Sequence, residues 1–290
     1  MSRAADFQAL RATVAALETA GGSARATLPL GGDRLDGVFP GGGLPLGCWH
    51  EVAGEGLELE TGAVAGAFVA ALARPLAAGG AVVWVMRRED LYAPGLAGLG
   101  FPAERLIQVA VRDEAQALAA LEDALGAAGV AVAIGEAAAA DLTAGRRLQL
   151  ACERHGATGF LIARRPFGGG AGPTAGGQIV GGSAAATRWS VAPAPSGPPD
   201  GRLEGFAQEA PGFESLGLGA PRWRASLTRC RGGRPGSWIV EMTDGPYPLR
   251  VVALLGDRRT TVTQDLKPSD IKNRIILSAR PVFRRSAGRL

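Results

Sequence analysis

Cys48-Trp49-His50-Glu51-Val52-Ala53-Gly54-Glu55-Gly56-Leu57-Glu58-Leu59-Glu60-Thr61 runs from an apolar strand through a glycine turn into a helix-forming segment. Strand, glycine turn and helix in that order build a phosphate-binding loop when the spacing is G-x-x-x-x-G-K-[ST]: glycines let backbone N–H groups wrap the phosphates, and the lysine reaches the β and γ oxygens. Here Gly54 and Thr61 fit the two ends, but Leu59 stands at the second glycine and Glu60 at the lysine. Glu55, Glu58 and Glu60 put three carboxylates where a polyanion would dock, and like charges at that range repel. The chain's only lysines are Lys267 and Lys272, far from this stretch. A compositional bias toward Arg, Ala, Gly and Pro accounts for scarce lysine, but not for an acid in the lysine position. The loop reads as an inherited shape stripped of nucleotide chemistry.

Outward from this stretch, apolar strands alternate with helical segments. Strands are predicted at 49–53, 81–86, 105–111, 130–134 and 159–163, with helices at 61–78, 91–99, 113–127 and 141–155. Strands that are apolar along their whole length belong to a parallel sheet covered on both faces, so the pattern predicts a doubly wound α/β fold. The texture changes after Arg165: residues 166–186 are dominated by Gly, Ala, Ser and Thr and read as a long loop. Strand-like segments resume at 187–193, 222–230, 238–243 and 249–255, with a turn at 231–236 and a Pro/Gly-rich insertion at roughly 193–220. Upstream, Phe7, Leu10, Val14 and Leu17 form one stripe of an amphipathic helix that Gly21-Gly22-Ser23 ends. The expected organisation is an N-terminal helix (1–22), a core (28–256) and a basic tail (257–290).

At 290 residues, 47% hydrophobic and 20% charged, the chain has the makings of a globular core. Its net charge of +4 is uneven. From Asp257 onward nine basic residues face three acids, so the tail carries +6 and the rest −2. Basic tails meet nucleic acid or acidic partners, or simply stay solvated. Cys48, Cys152 and Cys230 are odd in number and form no C-x-x-C pair, which fits a reducing cytoplasm better than a disulfide or zinc framework. No apolar leader segment and no run of about 18 apolar residues is present, so neither secretion nor a membrane span is expected. His50 and His155 are the only histidines, and no Gly-x-Ser-x-Gly elbow accompanies them. Cys152 and His155 can share a helical face, but two ligands make a poor metal site.

Taken in order, these pieces resemble the RecA-type recombinase core over roughly residues 28–256. The approach Leu44-Pro45-Leu46-Gly47 through Glu51 to Gly54, the unit Asp90-Leu91-Tyr92, Leu99-Gly100-Phe101 and Arg105-Leu106-Ile107, the strand Thr187-Arg188-Trp189-Ser190-Val191 after Gly181-Gly182, and the hairpin at 222–242 carry the likeness. More narrowly, Gly41-Gly42-Gly43-Leu44-Pro45-Leu46-Gly47, Asp90-Leu91-Tyr92-Ala93-Pro94-Gly95-Leu96 and Asp141-Leu142-Thr143-Ala144-Gly145-Arg146-Arg147-Leu148-Gln149-Leu150 resemble the ImuA family. Its members are non-recombinase RecA relatives that accompany an error-prone polymerase complex in bacterial damage-induced mutagenesis. The last segment is the most specific, because no general fold dictates it.

The resemblance implies where an active RecA ATPase would keep its machinery. The water-activating acid falls at Arg87-Arg88, and an arginine cannot act as a base. The metal-supporting aspartate, expected at the end of the strand 130–134, gives way to Gly135-Glu136. With the P-loop lysine also missing, the expectation is a pseudo-ATPase: no catalytic residues, no cofactor, no metal, and a scaffolding role in translesion synthesis and the SOS response to DNA damage. The alternative is a divergent DNA-dependent ATPase in which Arg87 or Arg88 replaces the lysine. Implied partners are an ImuB-like Y-family subunit with its error-prone polymerase complex, RecA, and single- or double-stranded DNA. Candidate contacts are Arg164 and Arg165 before the long loop, and Arg222, Arg224, Arg229, Arg231 and Arg234 of the late hairpin. In RecA the positions matched by Arg229 and Arg231 face a neighbouring protomer. The tail adds Lys267, Lys272, Arg274, Arg284 and Arg285, with Ile271, Ile275 and Ile276 as a small apolar stripe that orders on binding. Trp189, Trp223 and Trp238 have the chemistry to stack on bases, yet their alternating strand positions favour packing in the sheet.

Overall fold

A computed structural model describes residues 13, 25–56, 58–164, 183–196, 219–245 and 247–254, with the side chains of 58–62 and 254 left aside. The predicted N-terminal helix (1–22) apart from Thr13, the loop 166–186 apart from its last residues, most of the insertion 193–220 and the basic tail therefore lie outside the described residues. The chain divides into two units, Met1–Gly256 and Asp257–Leu290, and every described residue belongs to the first.

In chain order the elements are β1 (Thr27–Leu28), α1 (Asp33–Asp36), β2 (Leu44–Pro45), β3 (Trp49–Gly54), α2 (Glu58–Ala73), β4 (Ala81–Met86), α3 (Ala93–Gly98), β5 (Leu106–Ala110), α4 (Glu114–Leu125), β6 (Val130–Ala137), α5 (Leu142–His155), β7 (Thr158–Ala163), β8 (Thr187–Ala194), β9 (Arg222–Cys230), β10 (Gly236–Met242) and β11 (Leu249–Leu254). Nine strands form one sheet in the order β11-β10-β9-β8-β3-β7-β6-β4-β5. The six from β8 to β5 run parallel, and β9, β10 and β11 continue antiparallel. This is the mostly parallel sheet with flanking helices and a late hairpin that the sequence leads one to expect.

Helix α2 and the segment before β3 cover one face of the sheet, and α4 and α5 cover the other. The α2 sequence is apolar nearly all round, as befits a helix enclosed on several sides. Its Phe68, Val69 and Leu72 are fully buried. Both outer helices carry their own start signals. The Asp113 carboxylate accepts from Gln116 N at 2.8 Å, and that of Asp141 from Ala144 N at 2.7 Å, each satisfying an otherwise orphaned first-turn amide. Helix α5 stops at Gly156, whose φ of 76° is the left-handed conformation that glycine adopts without a Cβ clash. Midway along α5, a Cβ on Gly145 would sit 2.9 Å from the Trp49 ring, so the bare glycine lets the helix seat on β3.

Two expectations need correction. Strand β5 is not covered on both faces: it is the sheet's edge, and Ile107 is 51% exposed. Strand β6 does not stop at 134 but runs on through Gly135-Glu136 to Ala137. Among the described residues, no helix is long and apolar enough to cross a membrane.

Candidate functional site

In open α/β sheets, ligands bind beyond the carboxyl ends of the strands. Here those ends belong to β3, β4, β6, β7 and β8. Strand β3 leaves the sheet at Gly54 and α2 begins at Glu58, so the degenerate loop has the strand–turn–helix course its spacing implied. Leu59, Glu60 and Thr61 occupy the first turn of α2; their side chains are outside those described. Glu55 departs from expectation. Its amide donates to Val191 O at 2.7 Å, and its carboxylate accepts from Ser190 Oγ (3.0 Å) and from Arg224 (2.7 Å). It is thus tied sideways to β8 and β9 rather than standing free in a phosphate cradle.

The neighbouring strand ends hold a second set of charges. Glu136, at the far end of β6, is 3% exposed and uses both carboxylate oxygens: Oε1 accepts from Trp84 Nε1 at 2.9 Å, and Oε2 from Arg164 at 2.8 Å. The same Arg164 guanidinium, just past β7, also grips both oxygens of Asp90 at 2.8 and 2.5 Å. Arg88 lies 3.5 Å from Asp90, and Arg87 lies 3.1 Å from Glu114. The hydrogen bonds from Arg164 hold Asp90 below the usual carboxylate range. Burial pushes Glu136 up, against the opposing pull of Arg164 and Trp84. Arg87, Arg88 and Arg164 therefore each face a carboxylate of this same chain. Glu136, the acid nearest the metal-supporting position, has no oxygen left unengaged. Among the described residues no group of three or more His, Cys, Asp or Glu side chains is placed to hold a metal ion.

No protein-family model matches the chain. Curated relatives do: the Protein ImuA sequences of two strains of Caulobacter vibrioides are each 57% identical over 235 residues, covering 79% of this chain and 90% of the relative. The chain belongs to the ImuA family. Among solved structures, that of the RadB recombinase aligns at a TM-score of 0.47 and 14% identity, over 75% of this chain and 96% of that one.

Other candidate residues of this ImuA-family chain are also engaged internally. Arg164, read from sequence as open to phosphates, is only 12% exposed and is clasped by Glu136 and Asp90. Arg229 donates to Ser183 O and Arg231 to Ala184 O, so both brace the chain entering β8. That entry is further pinned by Glu51, 1% exposed on β3, which accepts from Ser183 Oγ (2.9 Å) and Arg188 (2.7 Å). Arg222 and Arg250 flank Glu241, and Arg234 donates to Gly37 O. Arg165, Lys267, Lys272, Arg274, Arg284 and Arg285 lie outside the described residues. Trp189, Trp223 and Trp238 are buried with Phe39 and Phe68, and are not available to stack on bases. Charge pairs between residues distant in the chain leave no spacing signature, which is why sequence reasoning missed Trp84, Asp90 and Glu51 as partners.

His50 is a core residue. Its Nε2 donates to Pro45 O (3.0 Å), leaving Nδ1 to accept from Thr187 Oγ1 (2.7 Å). Burial lowers its pKa to about 4. Because the folded value lies below the unfolded one of about 6.5, the unfolded chain binds the extra proton between them. This residue's share of stability is thus complete above about pH 6.5 and is lost as pH falls toward 4, a change approaching about 3 kcal/mol. Urea titrations from pH 7.5 to 4.5 are expected to show that slope and His50→Gln to flatten it; parallel slopes for both proteins would refute the assignment.

Proposed function

We propose that this chain is a non-catalytic adaptor in bacterial damage-induced mutagenesis. It would work in the cytoplasm within the SOS response, bridging an ImuB-like Y-family subunit and its error-prone polymerase complex to RecA and DNA. Membership of the ImuA family supports the accessory role. The observation that carries the silent-ATPase reading is Arg164 clasped between Glu136 and Asp90. A triphosphate with magnesium needs uncommitted cations and an open carboxylate, whereas here the cations of the crevice are neutralised from within and the acid is fully hydrogen-bonded. Such a sheet serves as a rigid platform, and the basic segment 257–290 is a natural contact for phosphates or an acidic partner.

Titration calorimetry is expected to give no saturable heat with Mg·ATP up to about 1 mM, a concentration that would detect binding as weak as about 4 kcal/mol. Phosphate release is expected to stay at background with and without single-stranded DNA. Micromolar ATP binding abolished by Thr61→Ala would overturn the proposal. DNA-stimulated, magnesium-dependent hydrolysis would establish the divergent ATPase instead.

A further inference from the structure

Helix α5 presents an outward face that neither the fold nor the crevice uses. Gly145, Leu148, Gln149, Ala151 and Cys152 form its buried stripe. Along the outward flank of that stripe Leu142, Arg146 and Leu150 follow one another at intervals of four, which puts them in line. Leu142 is 63% exposed and Leu150 50%. A helix that only covers a sheet carries polar residues there. The charges around these leucines are unevenly compensated. Arg147 is paired with Glu122 at 2.7 Å and Glu153 with Arg25 at 2.9 Å. Arg146, exposed between the two leucines, makes no ion pair among the described residues, and Arg154 is exposed in the last turn. The stripe thus offers two apolar contacts about 12 Å apart along the axis, with an uncompensated cation between them.

We propose that this face of α5 docks an amphipathic helix of a partner protein, one that sets a carboxylate against Arg146 and an apolar side chain against each of Leu142 and Leu150. The charge complement is an acid, and the flanking leucines call for apolar side chains rather than a phosphate backbone. The inference rests on the adaptor reading, for which it supplies a contact surface. It also gives a role to the Asp141–Leu150 segment, whose exposed leucines and arginine the fold does not require.

The test uses the full chain and two designed 18-residue amphipathic peptides, one with Leu, Glu and Leu at intervals of four, the other with Lys in place of Glu. By fluorescence anisotropy the acidic peptide is expected to bind at least about tenfold tighter than its twin, a difference of about 1.4 kcal/mol. Leu150→Glu and Arg146→Glu should each abolish that preference, and Arg146→Glu should favour the lysine peptide. Leu142 and Leu150 project into solvent, so the variants should keep the parent's circular dichroism and melting temperature. Equal affinity for both peptides, unchanged binding by the variants, or displacement of the peptide by DNA would overturn the proposal. A pull-down with an ImuB-like subunit reads the adaptor hypothesis separately: peptide binding without subunit capture sinks that reading and spares the surface. Subunit capture unaffected by Leu150→Glu does the reverse.

Discussion

Replacing Arg164 by alanine is expected to lower the free energy of unfolding by about 3–5 kcal/mol, because it strands a buried carboxylate without its counter-charge. Glu136 would keep only the indole N–H of Trp84, and Asp90 would lose a bidentate partner. Arg164→Lys should fall between the two, since an ammonium cannot present the planar fork that spans both acids. The double variant Arg164→Leu/Glu136→Leu should recover part of the loss, as apolar groups can replace a buried ion pair at little cost. It should not recover all of it, because the buried Trp84 N–H loses its acceptor and Asp90 its bidentate partner. Urea midpoints at neutral pH read all three. A loss under about 1 kcal/mol for Arg164→Ala would place the pair among solvated surface bridges, and a self-neutralised crevice would no longer be tenable.

Trp189→Ala should cost a comparable 3–5 kcal/mol or so, through lost burial and the cavity left behind. Its ring lies 5.6 Å from Phe68, 6.1 Å from Phe39 and 6.4 Å from Trp238, and its N–H reaches Thr187 Oγ1 at 3.0 Å. Trp189→Phe keeps most of the apolar volume, loses that hydrogen bond, and should cost about 1–2 kcal/mol. The phenylalanine variant also decides a functional question, since it should remain folded. Its affinity for single-stranded DNA should match that of the parent. A drop of more than about tenfold would mean that the ring meets bases after all.

The architecture could be read from the chain because parallel strands enclosed on two sides need unbroken apolar runs, and Ala81–Met86 and Thr158–Ala163 supply them. What could not be read was which strand would lie at the rim. Leu106–Ala110 has the composition of an inner strand, and its place at the edge is set by crossovers rather than by local content. Strand β6 looked finished at Ile134 because a glycine and an acid follow. The acid continues the strand because Trp84 and Arg164, distant in sequence, satisfy it. The same limit applies at the crevice. The missing lysine and misplaced arginines are visible one residue at a time, whereas their mutual cancellation is a property of the folded sheet. Arg229 and Arg231 looked available for the related reason that backbone carbonyls, their acceptors, have no sequence signal.

Residues 30–38 are stitched to strands β10 and β11 and the turn before them. Leu249 N donates to Leu30 O at 2.9 Å, Trp238 Nε1 to Arg34 O at 3.2 Å, and Arg234 N to Val38 O at 3.0 Å. Those partners lie far apart along the chain, so a nascent polypeptide emerging from the ribosome must hold residues 30–38 without these long-range bonds until β10 and β11 have been synthesised. Closing so long a loop carries an entropic cost that local contacts do not offset until it shuts. Translation arrested before residue 234 would therefore leave residues 30–38 without any of these three partners, an easier target for proteolysis.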